Sequence, residues 1–137
     1  MGRTIIQFEL SNYADIIAVD EGRLTPDKIR KVMMSGVIDT GAAMLVLPKS
    51  VVDYLGLTLD SQATVPYADH RREVRDIVRN ANVRIAGRGQ MFHAIVEPNR
   101  TDALIGAIVL EGLDLIVDCK KQCVEPREPE RILAEVE

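Results

Sequence analysis

The sequence predicts a small, mostly β domain of barrel or sandwich type with one or two short helices. Its apolar runs are short, and several alternate with polar residues. Glycine, proline and aspartate punctuate them. The chain has 137 residues, 47% apolar and 28% charged, which suits one globular domain rather than two or a disordered chain. A chain of this size buries roughly two-thirds of its unfolded surface, enough for a core of its own.

The elements follow in order. Arg3 to Leu10 alternates, with Ile6, Phe8 and Leu10 on one side and Gln7 and Glu9 on the other, as in a half-buried strand. Thr25-Pro26-Asp27 has the capping hydroxyl and early proline of a helix start, but begins only a short turn. Lys31 to Ile38 is β-like, with Val32, Met34 and Ile38 in phase. Met44 to Leu47 reads as a buried strand. Pro48 opens a helix over Lys49 to Leu55, which Gly56 can close in the left-handed conformation. Thr64 to Ile77 reads as a hairpin with its tip near Ala68-Asp69-His70. A second hairpin has Val83 to Ile85 and Met91 to Val96 around Gly87-Arg88-Gly89. Gly106 ends an apolar stretch, a short helix runs through Leu110, Gly112 breaks it, and Leu113 to Val117 returns to strand. Residues 1–124 form the expected domain. Residues 125–137 are a charged tail, weakly ordered or docked.

The formal charge of −4 provides no general field for nucleic acid. No apolar run is long enough to cross a bilayer, and the amino terminus lacks the pattern of a signal peptide or a myristoylation site, so a soluble cytoplasmic protein is expected. Cys119, Cys123, His70 and His93 are too few and too scattered for a disulfide framework or a zinc site. No metal and no cofactor are expected. A Cys-His nucleophile lacks a supporting signature, and Gly87-Arg88-Gly89 is too short for a phosphate loop.

The most informative segment is Val37-Ile38-Asp39-Thr40-Gly41-Ala42. An acid between apolar strands is costly to desolvate unless it is hydrogen-bonded. Asp39 can accept from the turn's own N–H groups, including that of Gly41, and Thr40 offers a hydroxyl to whatever faces it. As three letters, Asp-Thr-Gly is also an ordinary Asx-type turn. Apolar strands on both sides and a strand-then-helix sequel favour a functional site.

This segment, with Leu45-Val46-Leu47-Pro48 after it, resembles the active-site loop of retropepsin-like aspartic proteases. A second element of that family, an apolar pair and glycine before a short helix, is matched by Leu104-Ile105-Gly106 and Ala107 to Leu110, about 65 residues later. The resemblance spans roughly Arg3 to Val124 and implies an all-β, retropepsin-like acid-protease barrel. It implies hydrolysis of an extended peptide by paired carboxylates, one acting as base on a water and the other as acid on the scissile carbonyl. Of eleven aspartates only Asp39 lies in such a turn, so the resemblance implies a homodimer in which two Asp39 residues meet on a two-fold axis. Asp39, Thr40 and Gly41 are then the catalytic loop, and Ala42 contacts substrate. The hairpin takes the place of the family's flap, with Tyr67, Ala68 and Asp69 over the substrate, although its tip holds no glycine. Arg3 to Leu10 and Cys119 to Val124 are candidates for a dimer sheet. The alternative is the same fold with an idle dyad, serving as a dimerisation or peptide-binding module.

Arg71, Arg72, Arg75 and Arg79, interleaved with Glu73 and Asp76, read as a solvated hairpin face. The sharper reading is a preference for an acidic substrate or for nucleic acid, but no aromatic residues interleave the arginines. His93 reads as a surface or a satisfied half-buried histidine, and Asp114 and Asp118 as turn or surface groups. Asn99-Arg100-Thr101 fits a glycosylation sequon, with nothing to suggest secretion.

Overall fold

The computed structural model describes residues 3–132, 134 and 136. In chain order these form β1 (Ile5–Asn12), α1 (Tyr13–Asp20), a 3-10 turn (Pro26–Lys28), β2 (Lys31–Ile38), β3 (Leu45–Pro48) and α2 (Lys49–Leu55). Then come β4 (Thr58–Pro66), β5 (Arg72–Ile85), β6 (Arg88–Glu97), β7 (Ala103–Ile105), α3 (Ala107–Gly112), β8 (Leu115–Asp118) and β9 (Cys123–Pro126). Six strands follow the order β1-β2-β7-β3-β6-β5, and β5 pairs back with β1 to close the ring. β4 lies outside the ring, on β5. This is the all-β barrel expected, with three short α-helices rather than one or two.

The alternation of β1 puts Phe8 and Leu10 inside, where they meet Leu45, Leu47, Val83, Ala94, Ile105 and Val109 in one core. α2 runs over the expected residues, and Gly56 closes it at φ 64°. The two hairpins share β5, a single strand of 14 residues. Its pairing with β6 shifts between Val78 and Ala81, where Asn80 takes a φ of 71°. Such a bulge bends a strand. On the Ile77–Ile85 side β5 is barrel wall, and on the Arg72–Asp76 side it pairs only with β4. The first hairpin begins at Thr58 rather than Thr64: Thr58 to Thr64 are exposed on both faces, so they leave no alternation to read. In the second, Ile85 pairs with Arg88 across Ala86 and Gly87, at φ 52° and 79°. The turn is therefore one residue earlier than expected, and Gly89 belongs to β6.

Helix α1 was not expected. Ile16 to Val19 are consecutive and form no one-faced stripe. Polar contacts hold it instead. Asn12 caps it through the N–H of Ala14 and donates to the Leu55 carbonyl at 2.8 Å. Asp15 receives Nε and Nη2 of Arg30, each at 2.9 Å, and the Arg30 guanidinium holds this carboxyl below the usual carboxylate range.

At the other end, β9 pairs antiparallel with β8, with Val124 opposite Val117 and Pro126 opposite Leu115. Asp114, read as a surface or turn group, lies in a turn at φ 55° with a buried carboxylate that fastens the chain beyond β9. It accepts the Ile132 N–H at 2.9 Å and Arg127 Nε at 2.7 Å. These two donors hold it below the usual carboxylate range. As far as Ile132 the segment is therefore docked. Among the described residues no helix is long and apolar enough to cross a membrane.

Candidate active site

β7 inserts between β2 and β3. It runs parallel to β2, with Val37 opposite Leu104 and Ile38 opposite Ile105, and antiparallel to β3, with Val46 opposite Leu104. The loop from Ile38 to Met44 therefore begins and ends on strands flanking Leu104-Ile105-Gly106. Backbone bonds fix it there. The Asp39 N–H donates to the Ile105 carbonyl at 3.0 Å, and the Ala42 N–H to the Asp39 carbonyl at 3.1 Å. The carbonyls of Ala42 and Ala43 accept the first N–H groups of α3, from Ala107 at 2.8 Å and Ile108 at 3.0 Å. Those helix N–H groups have no partner within the helix, so the loop satisfies them. Gly106 is required by contact: a Cβ there would lie 2.5 Å from the Met44 carbonyl oxygen and 2.7 Å from that of Ala42.

Within this frame Oδ1 of Asp39 accepts the Gly41 N–H at 3.0 Å, the bond expected of the turn. The expected burial of Asp39 is not found in the single chain, where Asp39, Thr40 and Gly41 are all exposed. Val37 and Leu45 go into the core, and the loop between them leaves the barrel wall.

A cleft of about 900 Å³ opens beside the loop. Asp39, Gly41, Ala42, Tyr67 and Ala68 all line it. Thr40 is exposed beside Asp39 without lining the cleft, and Asp69 sits outside at the hairpin tip, accepting the Arg71 N–H at 3.1 Å. That tip, which lacks glycine, turns by placing His70 at φ 69°. Apolar lining from Met44, Val46, Ile77, Ile95 and Leu104 was not anticipated.

Sequence reading also missed Glu97, at the end of β6. Its Oε1 accepts Arg75 Nε at 2.8 Å, and its Oε2 accepts the Tyr67 hydroxyl. The Arg71 guanidinium lies over the Tyr67 ring, 4.6 Å from its centre, and Arg75 lies 5.6 Å from it. Burial, followed by the bond to Glu97, pushes the Tyr67 phenol up, and Glu97 likewise raises Arg75. The arginine run is thus not one solvated face. Arg71 and Arg75 line the cleft, Arg72 is exposed, and Arg79 faces Asp60 at 3.8 Å. No local signal pointed to Glu97, because Arg75 and Tyr67 are 22 and 30 residues away. His93 is exposed, as expected.

A closed six-strand barrel, with an Asp-Thr-Gly loop braced by a second strand-glycine-helix element, is retropepsin-like. Residues 26–109, more than half of the chain and including both elements, match the family described as aspartyl protease, and the chain belongs to that family. Among solved structures 212 chains match. One, described as the solution structure of simian foamy virus (mac) protease, is 12% identical, covers 57% of this chain and 80% of that chain, and has a TM-score of 0.46. No curated protein matches.

Proposed function

We propose that the protein is a homodimeric aspartic endopeptidase whose catalytic pair is Asp39 from each of two copies. The observation that carries this reading is the number of free carboxylates in the cleft. Among the described residues its lining acids are Asp39 and Glu97, and Glu97 is already bonded to Tyr67 and Arg75. One chain therefore offers one free carboxylate, on an exposed loop braced from behind, whereas the reaction needs two. A two-fold axis beside that loop would supply the second and would bring each Thr40 against the partner's loop.

Two carboxylates that close do not both ionise readily, so the pair holds one proton. The ionised group takes a proton from a water as its oxygen attacks the carbonyl carbon of the peptide bond. The protonated group gives its proton to the carbonyl oxygen. The tetrahedral intermediate then collapses, the C–N bond breaks, and the leaving nitrogen takes a proton from the pair. No covalent enzyme intermediate forms. Ala63 to Pro66 belong to the sheet's edge strand, whose outward backbone groups suit an extended peptide, with Ala42, Tyr67 and Ala68 beside it.

The test is cleavage of a peptide library across acidic and neutral pH. Cleavage by the wild type and none by Asp39→Asn is expected. Full cleavage by that variant contradicts the proposal. A correct dimer that cleaves nothing at any pH leaves a peptide-binding module.

A further inference from the structure

We infer that the cleft selects peptides carrying an acidic side chain close to an apolar one, and that Arg71 and Arg100 read the acid. This inference rests on the peptide-binding part of the proposed function.

Three guanidinium groups line the cleft, those of Arg71, Arg75 and Arg100, against the carboxylates of Asp39 and Glu97. Arg75 and Glu97 neutralise each other, at 2.8 Å with side chains only 17% and 18% exposed. Arg71 and Arg100 are left facing the cleft. Their own acidic partners lie outside its lining: Asp69 and Glu73 at 3.3 and 3.6 Å from Arg71, and Asp102 at 3.2 Å from Arg100. Those partners are 64%, 40% and 37% exposed, and pairs in that setting are weak enough to exchange for a better-placed carboxylate.

Both arginines are also positioned in advance. Arg71 rests on the Tyr67 ring, which Glu97 fixes through the hydroxyl. Arg100 Nε is held by the Asp102 carbonyl at 2.9 Å, and its Nη2 lies 3.2 Å from the exposed Asp102 carboxylate, which fixes the fork at the edge of the cleft. A planar fork held in place suits a carboxylate, and little ordering remains to be done when one binds. Asn99 beside them adds amide donors, while Met44, Val46, Ile95 and Leu104 supply the neighbouring apolar wall. A polyanion such as single-stranded nucleic acid fits less well. The chain carries a net −4, and among the described residues Tyr67 is the single aromatic one in the lining.

The test uses the full-length Asp39→Asn chain and short labelled peptides that differ only by Glu, Gln or Lys at one scanned position beside an apolar pair. Binding is read by fluorescence anisotropy. At one or more positions the Glu peptide should bind about fivefold tighter than the Gln peptide, with Lys weakest, and added salt should narrow the gap. In Arg71→Ala with Arg100→Ala the Glu-to-Gln ratio should fall towards one, and Arg71→Glu should invert the preference towards Lys. Equal binding of Glu and Gln peptides at every position overturns the inference, as does failure of all the peptides to bind. Displacement of the Glu peptide by an oligodeoxynucleotide through the same two arginines assigns the site to nucleic acid instead. Because the readout needs no cleavage, the outcomes separate. Glu-selective binding with an inactive wild type removes the peptidase and keeps this inference, whereas cleavage blind to charge does the reverse.

Discussion

The two walls of the cleft are built on opposite principles. The Asp39 loop is held by backbone: its N–H and carbonyl groups bond to Ile105, Ala107 and Ile108, and Gly106 lies against it with no space for a methyl group. The hairpin of β4 and β5 is held by side chains. Thr58 to Thr64 are all exposed, and the end of the hairpin is tied to the barrel through Tyr67, Arg75 and Glu97. One wall is thus fixed by packing and should yield only by unfolding. The other is fixed by a few charge-assisted hydrogen bonds and can open while the barrel stays folded.

The largest effect should come from the first wall. Gly106→Ala leaves the backbone, at φ −87°, undisturbed but places a methyl group against three backbone atoms at 2.5 to 2.8 Å. We expect a loss of about 4 kcal/mol or more, measured by urea unfolding. Gly36→Ala is the sharpening control. Its new methyl group meets only side chains, Ile105 Cδ1 at 2.6 Å and Phe8 Cε1 at 2.9 Å, so the loss should be about 1–3 kcal/mol. Equal losses would mean that the loop is not rigidly seated. Asp39→Asn should separate activity from stability: peptide cleavage should fall about a thousandfold or more. In the single chain the exposed carboxamide still accepts the Gly41 N–H, so the stability of the folded chain itself should change by less than about 0.5 kcal/mol.

For the second wall, Glu97→Ala should raise hydrogen exchange at amides 64–74 by an amount worth about 1–2 kcal/mol, leaving the barrel half of β5 protected. Glu97→Gln should do less. If exchange rises equally in β1 and β5, the two walls are not independent. Acid should act on neither wall first. Asp15 and Asp114 have carboxyls lowered in the fold, so each stabilises fully above its unfolded value and loses that contribution as pH falls through its lower folded value. Melting below about pH 4 should therefore begin with α1 and the docked C-terminal segment, and Asp114→Asn should flatten part of that dependence. The smallest effect is expected at Val74, 59% exposed on the hairpin, where Thr should change stability by less than about 0.5 kcal/mol.

The same contrast decides what was legible in the sequence. Backbone-determined features were readable because they leave glycines and alternation behind: Phe8 and Leu10 in phase, Gly56 at a left-handed cap, and Gly41 and Gly106 at the braced loop. Features made by distant side chains were not. Glu97 meets Arg75 through the register of β5 on β6, in which Ile77 lies opposite Ile95, and meets Tyr67 from across the hairpin; Asp114 reads as a turn acid until Arg127 and Ile132 reach it. Helix α1 was missed because its inward residue is Asp15, paired with Arg30, where a pattern search looks for an apolar side chain. The exposure of Asp39 was missed because apolar neighbours in sequence do not reveal which side of the wall a loop leaves.

In the proposed enzyme, catalysis needs one Asp39 from each of two copies. The most direct test is to mix wild-type and Asp39→Asn chains in equal amounts, allow the subunits to exchange, and measure cleavage per total protein. A shared pair predicts about a quarter of the wild-type rate, because only dimers with two intact chains are active. A rate of one half would show that each chain works alone and would contradict a shared pair.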